Sequence, residues 1–187
     1  MKQIILASKS PRRHELMGLI TERFIVADSL TDESTITERE PSRLCTALAR
    51  LKCKAVAEKR PEDVVIGCDT IVYLNGDILG KPASREEAFS MLRRLSGNTP
   101  TVYTGVWVCG SKVDEGFFVK TDVTFLEMSD KEINDYIDSG DPYDKAGGYG
   151  IQNKAARFVR SINGDYFNVM GLPVSALYVF LKNHSLL

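Results

Sequence analysis

The chain has little histidine, almost no net charge and no long apolar run, and each scarcity removes a class of function. Only His14 and His184 are present, near opposite ends of 187 residues. A histidine-based triad is therefore unattractive, and neither residue combines with Cys45, Cys53, Cys68 or Cys109 in a zinc-site spacing. None of the four cysteines forms a CxxC pair; the expectation is four reduced thiols in a cytoplasmic protein. The 24 basic and 25 acidic residues leave a formal charge of -1, without the positive excess of a general nucleic-acid binder. Ile4 to Ala7 is too short for a signal-peptide core, and no stretch approaches the roughly 20 apolar residues that span a bilayer. Neither a stable nucleic-acid partner nor a membrane partner is expected.

Two nucleotide-binding signatures are also missing. Gly80-Lys81-Pro82 lacks the four-residue gap between glycines and the hydroxyl residue after lysine that a Walker loop requires. Gly147-Gly148-Tyr149-Gly150 lacks the GxGxxG spacing of a dinucleotide fingerprint. What remains is 43% hydrophobic and 26% charged, enough to bury roughly two thirds of the unfolded surface in a core without disulfides. One domain over 1–187 is expected.

Hydrophobic patterning alternates strands with helices. Gln3 to Leu6 reads as a strand, followed by a polar turn and a short helix that Ser10 caps, Pro11 opens, and Leu16, Leu19 and Ile20 make apolar on one side. Phe24 to Val26 returns as a strand, and 28–40 reads as an exposed loop. Pro41 opens a helix with Leu44, Leu48, Leu51 and Ala55 at helical spacing, and Pro61 stops it. Val64 to Tyr73 reads as a buried strand, Asn75-Gly76 as a turn and Ile78-Leu79 as the return. Ser84 with Glu87, and Ser129 with Glu132, are capping-box patterns. Thr101 to Cys109 and Phe117 to Leu126 form a long hairpin, 138–154 a loop, Ala155 to Ile162 a short strand, and Pro173 opens a last helix. The order predicts an α/β protein with a mixed, twisted sheet and flanking helices.

Asp69 interrupts the apolar run at 64–73. A carboxylate there must be paired, hydrogen-bonded or metal-bound; it is either a structural aspartate or a catalytic or metal-linked one. Ser8-Lys9-Ser10-Pro11-Arg12-Arg13 puts two arginines in a first helical turn, where positive charge opposes the macrodipole unless an anion offsets it. Hydroxyls, free amides and guanidinium forks suit phosphate oxygens, although a merely solvated pair explains the residues too. Lys81 is a phosphate contact or a hairpin-tip lysine. Lys52 snorkels beside its apolar stripe or enters a cleft. Gln152 offers paired donor and acceptor groups suited to a base edge.

Taken in order, ILASKSPRR at 5–13, the Glu33 region, Glu40-Pro41 leading to LARLK at 48–52, GCDTIV at 67–72, LGKP at 79–82, EAFSML at 87–92, LSG at 95–97, DKAGGYGIQ at 144–152 and FNVMGLP at 167–173 resemble the Maf family of nucleoside triphosphate pyrophosphatases. The resemblance implies a Maf/ITPase-like α/β fold with a cleft between two lobes, and hydrolysis of nucleoside triphosphates to monophosphate and pyrophosphate. DKAGGYGIQ looks like the branch acting on dTTP and UTP. The resemblance further implies Asp69 as proton acceptor, Arg12, Thr70 and Gln152 in substrate choice, and Ser8, Arg13, Lys52 and Lys81 at phosphate. It implies Glu33 and Asp69 as ligands of a divalent cation, Mg2+ or Mn2+, and a homodimer. A broader noncanonical-nucleotide pyrophosphatase and a nucleotide-sensing cell-division regulator are the alternatives.

Overall fold

The computed structural model describes residues 3–187. Strands β1 (Ile4–Ala7), β2 (Phe24–Ala27), β3 (Val64–Leu74), β4 (Asp77–Leu79), β5 (Thr101–Gly110), β6 (Val113–Phe125) and β7 (Val159–Asn163) form one sheet. Its order is β2-β1-β3-β5-β6-β7, with β4 beside β3. β1 runs parallel to both β2 and β3, in register Ile5 with Ile25 and Ile5 with Val65. β4 and β7 pair antiparallel with β3 and β6. The sheet is therefore mixed, and it is flanked by helices α1 (Pro11–Gly18), α2 (Pro41–Ala57), α3 (Arg85–Leu95), α4 (Asp130–Ile137), α5 (Tyr166–Met170) and α6 (Val174–Asn183). None of the helices among the described residues is long and apolar enough to cross a membrane.

The chain divides into two compact units. The first comprises 3–70, 104–119 and 171–187 of the described residues; the second comprises 71–103 and 120–170.

In the first unit β1 is buried along its whole length, as a strand with parallel neighbours on both edges must be. Helix α2 covers the sheet through Cys45, Leu48, Ala49, Cys53 and Val56. It comes close because two strand positions carry no side chain. A Cβ on Gly67 would lie 2.2 Å from the Ala49 carbonyl oxygen, and one on Gly105 would lie 2.4 Å from that of Cys45. The buried face is thus rotated from the Leu44, Leu48, Leu51, Ala55 stripe: Leu48 is buried, and the other three are only partly so. Glu40 caps the helix by accepting bonds from the Ser42 and Arg43 amides, and Pro41 opens it as expected.

In the second unit Leu92, Leu95, Phe125, Ile133 and Tyr136 lead the core, and Phe125 meets Tyr149 edge-on at 4.8 Å between centroids. Ser129 and Glu132 form the full reciprocal capping box. Ser84 accepts from the Glu87 amide, but Glu87 reaches back to the amide of Ala83, one residue beyond the box partner.

Five local expectations need correction. Helix α1 ends at Gly18, so Leu19 and Ile20 lie beyond it, and Leu19 is 63% exposed. Residues 33–35 form a short 3-10 turn inside the 28–40 loop, held by the Asp32 carboxylate on the Ser34 amide. The β5–β6 hairpin turns at Ser111-Lys112, so Gly116 lies within β6 rather than in its loop. Residues 154–158 coil as a 3-10 turn before β7, and α5 stands where no helix was expected.

Candidate active site

The first unit assembles most of the predicted residues around the carboxyl-side half of β3. Asp69 is buried. Lys52 comes down from the last turns of α2, and its Nζ lies 2.5 Å from Asp69 Oδ1 and 2.9 Å from Glu33 Oε1. Lys52 and Asp69 have side chains only 14% and 12% exposed, against 52% for Glu33. The pair is therefore held inside the protein while Glu33 reaches it from the solvent side. The contact follows from the glycine seat: Cys53 packs directly over Gly67, and Lys52, one residue earlier in α2, is placed two residues further along β3.

Burial lifts the Asp69 carboxyl above the ordinary aspartate range, against the pull of Lys52 and Arg13. Burial also works against the Lys52 charge, but Asp69 and Glu33 outweigh it and hold the ammonium above its usual range. The lysine is therefore held as the cation of the pair, and the Asp69 carboxyl is more basic than one in water.

Beside this pair Arg13 is clamped by three segments. Its Nε donates to the Gly171 carbonyl at 2.8 Å, Nη2 to Thr70 Oγ1 at 3.0 Å and Nη1 to Ser8 Oγ at 3.4 Å. Thr70 Oγ1 in turn lies 2.9 Å from Thr104 Oγ1, and Thr104 is fully buried. Ser8 Oγ also accepts from the Ser10 amide at 3.2 Å, and His14 Nε2 lies 2.7 Å from the Ser8 carbonyl oxygen. Ser10 occupies the position before α1 but makes no side-chain cap, and the first turn holds no acid. Arg12 is half-buried at that end of α1.

Lys81 and Gln152 belong to the second unit, and both are exposed. There the Gly147 amide donates to the Gly80 carbonyl at 2.9 Å, which ties the LGKP and DKAGGYGIQ segments together. Gly147 and Gly148 have φ of 69° and 72°, values that glycine adopts without strain.

Sequence reasoning missed Thr104, Gly171 and His14 as neighbours of the site. Thr104 lies in a run read only as strand. Gly171 lies in the FNVMGLP match without a role attached, and its φ of 117° is a value that favours glycine. No group of three or more His, Cys, Asp or Glu able to hold a metal exists among the described residues. Glu33 and Asp69 nevertheless converge on one cation, the Lys52 ammonium.

A mixed sheet with flanking helices, carrying a buried Asp–Lys pair beside an arginine clamp, places the chain among the α/β proteins. The solved structures agree on the fold. The Staphylococcus aureus Ham1 protein superposes with a TM-score of 0.51 at 18% identity, covering 98% of this chain and all of that one. A HAM1 protein from Coxiella burnetii gives 0.50 at 14%, with the same coverage. The Maf-like protein family model matches residues 3–184, and the chain belongs to that family. A dTTP/UTP pyrophosphatase of Geobacillus sp. (strain WCH70) is 50% identical over 175 residues, 94% of each chain. A dTTP/UTP pyrophosphatase of Bacillus cereus (strain ATCC 14579) is 45% identical over 182 residues, 97% of this chain and 95% of the other.

Proposed function

We propose that this protein hydrolyses dTTP and UTP to the nucleoside monophosphate and pyrophosphate. The observation that carries the reading is the buried Asp69–Lys52–Glu33 arrangement set against the Arg13 clamp, in a chain half identical to a dTTP/UTP pyrophosphatase. Asp69, made more basic by burial, takes the proton of the water that attacks the α-phosphorus. Lys52, Arg13 and Ser8 bind phosphate oxygens and stabilise the charge that develops on the pyrophosphate leaving group. Lys81 adds a point charge at the triphosphate. Arg12, Thr70 and Gln152 set substrate choice, with the Gln152 amide reading the pyrimidine edge through one donor and one acceptor.

A divalent cation, Mg2+ or Mn2+, fits Glu33 and Asp69. Their carboxylates already meet at a cation, and Mg2+ needs only one or two carboxylates when substrate phosphates complete its shell. When bound, the ion offsets triphosphate charge and polarises phosphate oxygens. The family resemblance supports a homodimer, which sedimentation of the purified protein tests directly. For the activity, dTTP, UTP, CTP, ITP and 7-methyl-GTP are each incubated with enzyme and magnesium, and products are identified. Monophosphate and pyrophosphate from dTTP and UTP support the reading; orthophosphate release, or at least tenfold preference for a purine in kcat/KM, contradicts it.

A further inference from the structure

The second unit contains a charged residue that the proposed chemistry does not use. Lys145 has a side chain only 8% exposed, and lysine is almost never buried without a reason. Its ammonium donates to the Asp141 carbonyl at 2.6 Å and to Asp144 Oδ1 at 2.5 Å, with Asp141 Oδ1 at 3.7 Å. The same Asp141 Oδ1 accepts from Asn153 Nδ2 at 3.4 Å. The stem of the side chain fills the inside of the loop: a Cβ on Gly150 would stand 2.7 Å from Lys145 Cε and 2.9 Å from its Cδ. Backbone bonds from Gly148 to the Lys145 carbonyl at 3.0 Å, and from Asn153 to Gly150 at 3.2 Å, close the coil around it. Gln152 stands on that coil, exposed, one residue before Asn153.

An apolar side chain would fill the space without the desolvation of a charge. What lysine adds is an ammonium bonded to the start of the loop, at 141 and 144, on a stem that lies against Gly150, while Asp141 in turn accepts from Asn153. We propose that Lys145 is a positioning residue, the post around which the 141–153 loop is wound, so that Gln152 presents its amide to the base in one place. The inference rests on the pyrimidine-triphosphate reading and deepens it. Uracil and thymine offer an acceptor at C4 beside an N–H, whereas cytosine offers the reverse pair. A freely turning amide serves either; a fixed one discriminates.

Two variants test it from opposite sides. Lys145→Met removes the ammonium and keeps most of the stem. Gly150→Ala keeps the ammonium and crowds the stem, at a backbone conformation that alanine tolerates. Hydrogen exchange on the full-length protein reads the loop, and steady-state kinetics with UTP and CTP read selection. Both variants are expected to exchange the Gly147, Gly148 and Asn153 amides at least tenfold faster, with α3 unchanged. The UTP-over-CTP ratio of kcat/KM should fall about tenfold, the worth of one well-placed hydrogen bond, mainly through KM, with kcat on UTP within about threefold of wild type. If Lys145→Met does not fold, Gly150→Ala decides alone. Wild-type exchange in the folded variants overturns the proposal. So does faster loop exchange with unchanged discrimination. A wild-type protein inactive on dTTP and UTP refutes the substrate reading instead, and the exchange measurement still judges the loop.

Discussion

Replacing Lys52 by methionine separates the account of the buried pair from any account of substrate. Methionine keeps the length and apolar stem but leaves Asp69 buried without its nearest cation. Removing one partner of a buried ion pair destabilises by roughly 3–5 kcal/mol. Lys52 is 14% exposed and its second partner Glu33 is 52% exposed, so solvent screening brings the cost just below that range, to about 2–3 kcal/mol. For a chain of this size each kcal/mol moves Tm by roughly 2–4 °C, giving a fall of about 4–12 °C near pH 8. The pH dependence has a definite sign. Asp69 already titrates above its ordinary range because of burial, and loss of Lys52 raises it further. A carboxyl whose folded pKa exceeds its unfolded one favours folding when protonated, and its contribution is lost as pH rises through the folded value. The deficit of Lys52→Met should therefore shrink at pH 5. Adding Asp69→Asn to Lys52→Met should restore most of the stability lost at pH 8. Thermal and urea unfolding at both pH values make the measurement. A deficit below about 1 kcal/mol at pH 8, or no recovery in the double variant, refutes the buried-pair argument.

Three further outcomes are expected. Asp69→Asn should lower kcat by roughly 10²–10⁴-fold and abolish an acid limb in kcat/KM that lies above the ordinary carboxylate range, while nucleotide binding by calorimetry largely survives; near-wild-type kcat would remove Asp69 as the proton acceptor. Trp107, the sole tryptophan, donates to Asp114, whose carboxyl is pulled down to about 2, first by Lys54 and then by that indole bond. The pair's contribution is present above the ordinary aspartate value and lost as pH falls through about 2, so Trp107 fluorescence should hold between pH 7 and 4 and change only below, whereas Asp114→Asn shifts it at pH 7. Burial pushes the Cys45 thiol up to about 12 and raises Cys68. The contact with Cys109 raises Cys53, and the same contact lowers Cys109. Iodoacetamide at pH 8 should therefore label Cys109 first in the native protein, as peptide mass mapping would show.

The strands and most helices are legible in the sequence because their signals are local: β-branched runs, proline at helix starts and serine–glutamate boxes. The burial of β3 is legible for the same reason, since a mostly apolar run at 64–73, broken at Asp69, fits a strand covered on both faces. The α2 face is not, because the stripe of leucines obeys helical spacing, yet the seat is decided by Gly67 and Gly105 on distant strands. That same seat places Lys52 at Asp69. A buried carboxylate calls for a partner, and only the distant glycines decide that Lys52 is the one. Leu19 departs from its expected place because helix α1 stops at Gly18, before its apolar residues run out. Arg13 is assigned to an anion by its place in a first turn; its clamp on Gly171 spans 158 residues, beyond any periodicity. Lys145 lies inside the DKAGGYGIQ match, but nothing there marks it as buried, because a buried lysine looks like any other lysine in a loop.

The central claim is that a basic, buried Asp69 beside a lysine–arginine phosphate site makes this chain a pyrimidine nucleoside triphosphate pyrophosphatase. Its most direct test is turnover of dTTP and UTP by the purified protein with magnesium in 18O-labelled water, with the products resolved by mass spectrometry. The account predicts one labelled oxygen in the nucleoside monophosphate and an unlabelled pyrophosphate, from both substrates. Label in pyrophosphate or orthophosphate, or no turnover of either nucleotide, would contradict it.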